Sequence, residues 1–258
     1  MQERLQKIMA RSNIGSRRHN EELIKQGIVS VNGVRAKLGD KADAEIDTIT
    51  VRGEPLKFQK YRYIMVNKPK GIISSTEDEE SRRTVRDLVS VEGHLFTVGR
   101  LDKQSEGLIL LTNDGMLANR LTHPRYEHKK LYRVWVERRP TREALEQWRK
   151  GVLLDEKMTA PAEVKVVDDS KYTVELLIGM REGRKRQIRR VAELLGHPVR
   201  KLVREKIGPL RLKDVEMGKW RDLTERELKS LFKAARIPSP RERHFVKNKP
   251  NIKGKRRR

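Results

Sequence analysis

One aspartate in the middle of the chain lies where a side chain could do chemistry. Asp102 follows the tight turn at Gly99 and Arg100, which closes a strand-like segment, and it precedes the apolar run at residues 108–111. That run predicts a fully buried strand, which would anchor the turn rigidly. The position alone indicates little, because most aspartates in turns only bond their own backbone. The weight of this candidate therefore depends on the residues around it.

A metal site is the first alternative for this region. Asp102, Glu106 and Asp114 could be ligands of a nuclease or phosphoryl-transfer site if Asp102 and Glu106, four residues apart, shared one helix face. The glycine and apolar strand that follow do not favour such a helix, and no Gly-rich loop ends in Gly-Lys-Ser or Gly-Lys-Thr. His123 and His128 also lack a recognised ligand spacing and read as ordinary surface or supporting residues. We therefore predict no metal and no cofactor.

A strongly basic segment lies near the end of the folded part. Residues 181–206 contain ten Lys or Arg and three Glu, a net charge of +7. Such a surface binds the phosphates of a nucleic acid and does not distinguish its sequence. The affinity for the nucleic acid should fall steeply with salt concentration. We predict phosphate contacts for Arg100, beside the turn, and for Arg184, Lys185, Arg186, Arg190, Arg200, Lys201 and Arg204. By position alone, Arg189 would be one more contact of this kind.

Composition points to the same class of partner. The 258 residues carry 60 Lys or Arg against 36 Asp or Glu, a net charge of +24, which is far beyond what solubility needs. No stretch approaches the roughly 18 apolar residues that span a bilayer, and the start of the chain lacks an apolar signal core. The absence of cysteine excludes thiol nucleophiles and disulfide scaffolds. We expect a cytoplasmic protein with a polyanionic partner and no membrane association.

The first 60 residues read as a small module. Residues 5–10 and 21–24 predict two short helices, with Ser16 placed to cap the second. Alternating apolar residues then end at Asn32 and Gly33, a hairpin signal, and Ile46, Ile49 and Val51 predict further short strands. Five basic residues, which we expect to contact RNA, are concentrated on the helices: Arg4, Lys7, Arg11, Arg17 and Arg18.

A larger domain is predicted over residues 61–238. A strand that runs into a Pro/Gly turn is expected at 63–71, and further strands at 96–98, 108–111, 130–137 and 172–178. Helices are expected at 116–121 and 141–150, and an exposed acidic loop at 76–80. Strands and helices do not alternate regularly, which favours an α+β fold with a mixed or antiparallel sheet. Residues 239–258 are predicted to be a disordered basic tail, since residues 241–258 carry a net charge of +8 and few apolar groups.

Two long phrases resemble known families. Residues 3–52, with RLQKIMARSNIGSRR, LIKQGIVSVNGV and LGDKAD, are similar to the alpha-L RNA-binding motif of ribosomal and RNA-modifying proteins. The phrase GRLDKQSEGLILLTNDG resembles the active-site motif of the pseudouridine synthases, specifically the ribosomal branch in which an alpha-L module comes first. Three further segments agree in order and spacing: NKPKG from residue 67, LTHPRYEHKKLYRV from residue 121, and EGRKRQIRRVAELLGHPVRKLVR from residue 182.

The resemblance implies roles for three residues. Asp102 would be the carboxylate that attacks the target nucleotide, Tyr132 would stack on a flipped-out base, and Arg189 would pair with the carboxylate. Without the resemblance, Tyr132 would be interpreted as a core residue packed with Val134 and Val136. The family pattern often has Asn or His where this chain has Lys185 and Arg186, which leaves the fine substrate contacts open.

The substrate implied is a uridine in ribosomal RNA. The sequence of residues 119–132 is closer to the large-subunit enzymes than to their small-subunit relatives, so we expect 23S rRNA or a large-subunit precursor as the substrate. We also expect the enzyme to be a monomer and to need no nucleotide cofactor. The alternatives are the same chemistry on 16S rRNA and a non-catalytic RNA-binding factor of ribosome assembly. Every charge argument fits the assembly factor equally well, and only Asp102, Tyr132 and Arg189 separate it from the enzyme.

Overall fold

A computed structural model describes residues 2–12, 14–75, 82–169 and 173–240. The exposed loop predicted at 76–80 and the basic tail from 241 lie outside the described residues. Within them the helices are α1 (Leu5–Arg11), α2 (Arg17–Lys25), α3 (Gly115–Thr122), α4 (Arg142–Lys150), α5 (Gln187–Leu194) and α6 (Glu225–Ala235).

The strands are numbered in chain order. Those of the first part are β1 (Glu3–Arg4), β2 (Val29–Val31), β3 (Val34–Arg35), β4 (Lys41–Ala42), β5 (Ile49–Val51), β6 (Glu54–Pro55), β7 (Tyr63–Lys68), β8 (Phe96–Val98) and β9 (Glu106–Thr112). The remainder are β10 (Lys130–Glu137), β11 (Leu153–Leu154), β12 (Lys157–Met158), β13 (Glu163–Asp169), β14 (Thr173–Met180), β15 (Val199–Ile207), β16 (Leu210–Arg211) and β17 (Trp220–Asp222).

The N-terminal module is two helices packed on a small sheet. Strands β3, β2, β5 and β6 form the sheet in that order, and its core is made of apolar residues of α1, α2, β2 and β5. Ser16 caps α2 as predicted, since its hydroxyl accepts from the His19 N–H at 3.2 Å. Asn32 and Gly33 both have positive φ, as a type I′ hairpin requires. The prediction for Ile46 is wrong: it lies in a turn and is 80% exposed.

The larger domain is built on a mixed sheet. Its strand order is β13-β14-β10-β15-β9-β7-β17, with β16 added to β15 and β8 to β9. The pairing of β9 with β15 is parallel and the other pairs of this sheet are antiparallel. The α+β prediction with a mixed, largely antiparallel sheet is therefore confirmed.

Strand β9 runs through the centre of the core. Leu108 and Leu110 pack with α3 and α6 on one face, and Ile109 and Leu111 pack with β7 and the segment after it on the other. All four side chains are fully buried. The strand is apolar throughout because both of its faces are covered, as the run at 108–111 predicted.

The other elements of this domain also follow the sequence. The helices predicted at 116–121 and 141–150 are α3 and α4, capped by Asp114 and Thr141 respectively. The strands predicted at 130–137 and 172–178 are β10 and β14. In the described part of the chain, no helix is long and apolar enough to cross a bilayer.

Candidate active site

Asp102 lies in the turn between β8 and β9, and the backbone of that turn is fixed by hydrogen bonds. Five consecutive carbonyls, from residue 100 to residue 104, each accept a hydrogen bond. The donors are Arg204 Nη1 to Arg100 (3.2 Å), the Ser74 hydroxyl to Leu101 (2.8 Å), the Ser105 N–H to Asp102 (2.9 Å), the Gly71 N–H to Lys103 (2.8 Å) and Arg189 Nη2 to Gln104 (2.7 Å). The Asp102 side chain itself is half-buried. The backbone at Asp102 therefore has a fixed position relative to the sheet.

Ser74 holds this turn most closely, and the sequence analysis missed it. Its hydroxyl donates to the Leu101 carbonyl and accepts from the Leu101 N–H at 3.0 Å. Ser74 is buried, so both Leu101 groups would be costly to leave unpaired. A serine three residues after the NKPKG phrase carries no sequence signal of this role, because the contact joins segments 27 residues apart.

Arg204 corrects the prediction of a phosphate contact. It is 1% exposed, and its guanidinium donates from Nε to the Leu108 carbonyl at 2.7 Å and from Nη1 to the Arg100 carbonyl. The physical reason is its place on β15, which is paired with β10 on one side and with β9 on the other. Arg204 lies opposite Tyr132 of β10 and Gly107 of β9, so both of its neighbours are strands of the sheet. Arg204 is thus a buried support of the turn rather than part of the RNA-binding surface.

Lys68 is a second buried cation that the sequence analysis did not single out. It is fully buried at the end of β7, and its ammonium donates to the carbonyls of Pro69 (3.0 Å) and Ile72 (2.6 Å). Burial lowers the pKa of Lys68 to about 8, and the charges of Glu106 and Asp102 act in the opposite direction. The charge of Asp102 therefore acts on the buried Lys68 ammonium.

Tyr132 lies at the junction of two hydrophobic clusters. On β10 it is paired with Ile178 of β14 and with Arg204 of β15. Its ring packs against the cluster under α4 and α5 and also against the cluster that contains Leu101. Tyr132 is only half-buried, so part of its surface is open to solvent.

Arg189 is brought to the Asp102 turn but makes no direct pair with the carboxylate. Its Nη2 donates to the Gln104 carbonyl at 2.7 Å, and its Nη1 donates to the Val199 carbonyl at 3.3 Å. Among the described residues, no ion pair within 4.0 Å joins Arg189 and Asp102. Burial and the charge of Arg186 lower the pKa of Arg189, while the charge of Asp102 raises it, so the two groups interact at longer range.

The remaining basic residues predicted to bind RNA fall into two groups. Exposed side chains that are open to a phosphate are Arg17, Arg18, Arg100, Lys185 and Arg186. Arg4 is exposed, but its Nη1 donates to the Gly39 carbonyl at 2.5 Å. Side chains engaged within the protein are Lys7 and Arg11 with Glu3, Arg184 with the Leu154, Lys157 and Met158 carbonyls, Arg190 with Asp155, Arg200 with Glu137, and Lys201 with Glu106. Most of these pairs are solvent-accessible and could be exchanged for a phosphate at little cost.

The alternatives weighed from sequence are also located. Glu106 is the first residue of β9 and Asp102 lies in the turn before it, so the two do not share a helix face. His123 is exposed and accepts from the Arg125 N–H at 3.3 Å, as a cap of the short 3-10 turn at Pro124–Tyr126. Burial lowers the pKa of His128, and the neighbouring Lys130 acts in the same direction.

A basic helical module joined to a mixed sheet that displays a fixed aspartate defines a class of RNA-modifying enzymes. The family model described as RNA pseudouridylate synthase matches residues 62–194, and the S4 domain model matches residues 3–45. The chain therefore belongs to the RNA pseudouridylate synthase family and is a pseudouridine synthase with an N-terminal S4 domain.

Curated relatives match nearly the whole chain. It is 42% identical to the ribosomal large subunit pseudouridine synthase B of Bacillus subtilis, over 89% of this chain and 95% of that protein. It is 38% identical to the dual-specificity RNA pseudouridine synthase RluF of Escherichia coli K12, over 97% of this chain and 86% of that protein. A crystal structure of a pseudouridylate synthase superposes with a TM-score of 0.64 at 32% identity, covering 88% of this chain and 99% of that one.

Proposed function

We propose that this enzyme isomerises a specific uridine of large-subunit (23S) ribosomal RNA, with Asp102 as the nucleophile. The substrate is supported by the 42% identity to a relative named as a large-subunit enzyme, across 89% of this chain. The observation that carries the catalytic assignment is the Asp102 turn, in which five successive carbonyls are each hydrogen-bonded while the carboxylate stays half-exposed. Such preorganisation suits a group that must meet one sugar carbon accurately.

The reaction needs a carboxylate and no redox partner. The bond between N1 of uracil and C1′ of the ribose breaks, the free base rotates, and a bond forms between C5 and C1′. The proton on C5 is lost and N1 gains one, so atoms and electrons balance. Asp102 divides this change into easier steps, either by attacking C1′ to form an ester or by removing a proton from the sugar to form a glycal. Both routes require Asp102 to be ionised.

Three cations surround the Asp102 turn. Lys68 and Arg204 are buried and donate to backbone carbonyls, and the charge of Asp102 acts on the Lys68 ammonium. Arg189 holds the Gln104 carbonyl, two residues after Asp102. In the complex with RNA, we propose that Arg189 turns from that carbonyl to pair with the carboxylate, since its planar fork suits bidentate contact.

Tyr132 would receive the target base. A uridine inside an RNA helix cannot be reached by Asp102, so it must be flipped out and stacked on a flat face. The half-buried ring of Tyr132 offers such a face beside Leu101, and stacking of this kind is worth about 1 to 3 kcal/mol per base. The exposed basic side chains of the S4 domain and of residues 184–186 would hold the surrounding phosphates.

We propose that the enzyme is a monomer and that it acts in the cytoplasm, where bacterial ribosomes are assembled.

The experiment that tests this proposal maps pseudouridine in cells. The protein is expressed in a bacterial strain that lacks its own rRNA pseudouridine synthases of this branch, and both rRNAs are analysed by carbodiimide labelling and primer extension. Wild type is compared with Asp102→Asn and with the control Asp155→Asn, whose carboxylate pairs with Arg190 outside the site. We expect one new stop in 23S rRNA for wild type and the control, and none for Asp102→Asn.

Other outcomes separate the alternatives. A stop in 16S rRNA would keep the chemistry and change the substrate. No stop in either rRNA, despite protein bound to ribosomes, would favour an assembly factor. Purified protein should also convert unmodified rRNA in the presence of a chelator; activity that is lost on chelation and restored by a divalent ion would overturn the Asp102 mechanism.

A further inference from the structure

A basic cleft lies between the S4 domain and the catalytic domain. Its volume is about 300 Å³, near the lower end of the range for ligand pockets. It is lined by Lys7 of α1, Arg17 of α2, and Gly115, Met116, Asn119 and Arg120 of α3. Both domains therefore contribute side chains to one cavity.

The two domains are in close contact at Gly115. A methyl group on this glycine would lie 3.7 Å from Arg17 Nη2 and 3.8 Å from the ring of Phe96. The Arg17 guanidinium therefore lies beside the start of α3. An arginine of the S4 domain in this place can meet the same ligand as a side chain on α3.

The charges in the cleft are not balanced within the protein. Three of the six lining residues are cations and none is acidic. Lys7 pairs with Glu3 at 2.6 Å, but Arg17 and Arg120 have no ion-pair partner within 4.0 Å in the part of the chain that the structure describes. Cations that face one cavity repel each other, so an anion supplied from outside would stabilise the arrangement.

The side chain of Arg120 is held in place by an aromatic ring. Its guanidinium carbon lies 4.3 Å from the centre of the Tyr126 ring, and that of Arg125 lies 4.5 Å from the same centre. A guanidinium stacked on an aromatic ring keeps the N–H groups on its edge available, which is the geometry that meets phosphate oxygens. The stacking reduces the conformational entropy that Arg120 would lose on binding.

The N-terminus of α3 does not supply this site. The Asp114 side chain accepts from the N–H groups of Met116 (3.1 Å) and Leu117 (3.2 Å), so these donors are occupied. An anion in the cleft must therefore be held by side chains, with the Asn119 amide as a neutral donor beside the two arginines. This donor set fits the phosphate of a nucleic-acid backbone and reads no base.

We propose that Arg17 and Arg120 clamp one backbone phosphate of the RNA and thereby lock the S4 domain onto the catalytic domain. This inference rests on the proposed function, since it assumes that the substrate is ribosomal RNA. Helix α3 links the cleft to the Asp102 turn, since a methyl group on Gly99, three residues before Asp102, would lie 3.7 Å from the side chain of Thr122 at the end of α3.

The first test measures RNA binding and its salt dependence. Unmodified 23S rRNA made by transcription is the probe, with Arg17→Gln, Arg120→Gln, the double variant, and Arg142→Gln as a control for loss of one exposed charge on α4. Each clamp variant should weaken binding about three- to tenfold and reduce the salt slope by about one. The double variant should lose little more than either single variant, because both arginines serve one phosphate. Fully additive losses, or binding equal to that of the control, would overturn the clamp.

The second test measures the distance between the two domains. The chain has no cysteine, so Val34→Cys and Leu153→Cys, at exposed positions of the two domains, allow two spin labels to be placed. RNA should narrow the distance distribution in the otherwise wild-type chain and should not do so with Arg17→Gln and Arg120→Gln present. An equal narrowing in both would overturn the clamp. If the wild type binds 23S rRNA but modifies no uridine in it, the proposed function fails while the clamp can still be judged.

Discussion

The Ser74 hydroxyl is bonded to both backbone groups of Leu101, accepting from its N–H at 3.0 Å and donating to its carbonyl at 2.8 Å. Ser74→Ala removes both contacts at the residue before Asp102. We expect a loss of about 1 to 2 kcal/mol in the free energy of unfolding and a fall in kcat of ten- to about a hundredfold, with KM for RNA changed little. Single-turnover rates and urea unfolding measure the two effects.

Two further variants separate positioning from stability. Ser74→Thr keeps the hydroxyl and should recover most of kcat. Ser230→Ala removes a hydroxyl that donates to the Arg226 carbonyl on the exposed face of α6, so kcat should stay at the wild-type value. If Ser74→Ala lowered stability but left kcat unchanged, the positioning role of Ser74 would be wrong.

Arg204 and Arg200 lie on the same strand but should respond very differently to replacement by methionine. Arg204→Met leaves the carbonyls of Leu108 and Arg100 without a buried partner, and we expect a loss of about 2 to 4 kcal/mol in the free energy of unfolding. Arg200→Met removes an accessible pair with Glu137 and should cost less than about 1 kcal/mol. Urea unfolding of both variants gives the comparison.

RNA binding gives the same pair of residues a second test. The salt slope of binding should be lower for Arg200→Met if this side chain exchanges Glu137 for a phosphate, whereas Arg204→Met should leave the slope unchanged. A lower slope for Arg204→Met would show that the buried arginine does reach the RNA, contrary to its 1% exposure.

Local patterns in the sequence predicted most elements because each pattern has a short-range cause. Ser16 indicated the start of α2, Asn32 and Gly33 the hairpin, and the run at 108–111 a strand covered on both faces. Ile46 failed because one apolar residue in a turn has the same sequence signal as one in a short strand. The phrase around Asp102 pointed to the centre of the candidate site through family resemblance, and that assignment stays a prediction.

Residues that support the Asp102 turn from a distance could not be predicted. Arg204 stands in a basic segment with nine other Lys or Arg residues, and only its pairing with β9 distinguishes a buried side chain from a surface one. Lys68 and Ser74 act through backbone carbonyls, which leave no trace in residue type. These contacts depend on which strands are neighbours, and hydrophobic periodicity does not specify strand order.

Gly107 marks the place where β9 and β15 run closest. Its φ is +103°, and a methyl group there would lie 2.5 Å from the Arg204 carbonyl oxygen and 2.7 Å from the Arg204 nitrogen. Gly107→Ala must therefore move one strand, and we expect a loss of more than about 2 kcal/mol in stability together with reduced kcat. Gly183→Ala, where a methyl group meets no atom within 4 Å, is the matched control for unfolding. Equal stability of the two variants would contradict the close approach.

Lys68 predicts a pH dependence whose sign is opposite to that of a salt-bridged lysine. Burial lowers its pKa in the folded protein from 10.5 to about 8. Below about pH 8 the lysine is charged in both states, and its burial opposes folding to the full extent. Between about 8 and 10.5 the unfolded chain holds a proton that the folded protein has released, so the free energy of unfolding rises with pH. The largest slope from this one group is about 1.4 kcal/mol per pH unit.

Lys68→Met isolates that contribution, because methionine keeps an unbranched chain and does not titrate. We expect the stability of the wild type to rise relative to Lys68→Met as the pH increases from about 8 to 10. Urea unfolding of both proteins at matched pH values gives the difference directly. A difference that stays flat or falls over this range would mean that Lys68 remains charged in the folded protein. Its hydrogen bonds to Pro69 and Ile72, with the fields of Asp102 and Glu106, would then outweigh its desolvation.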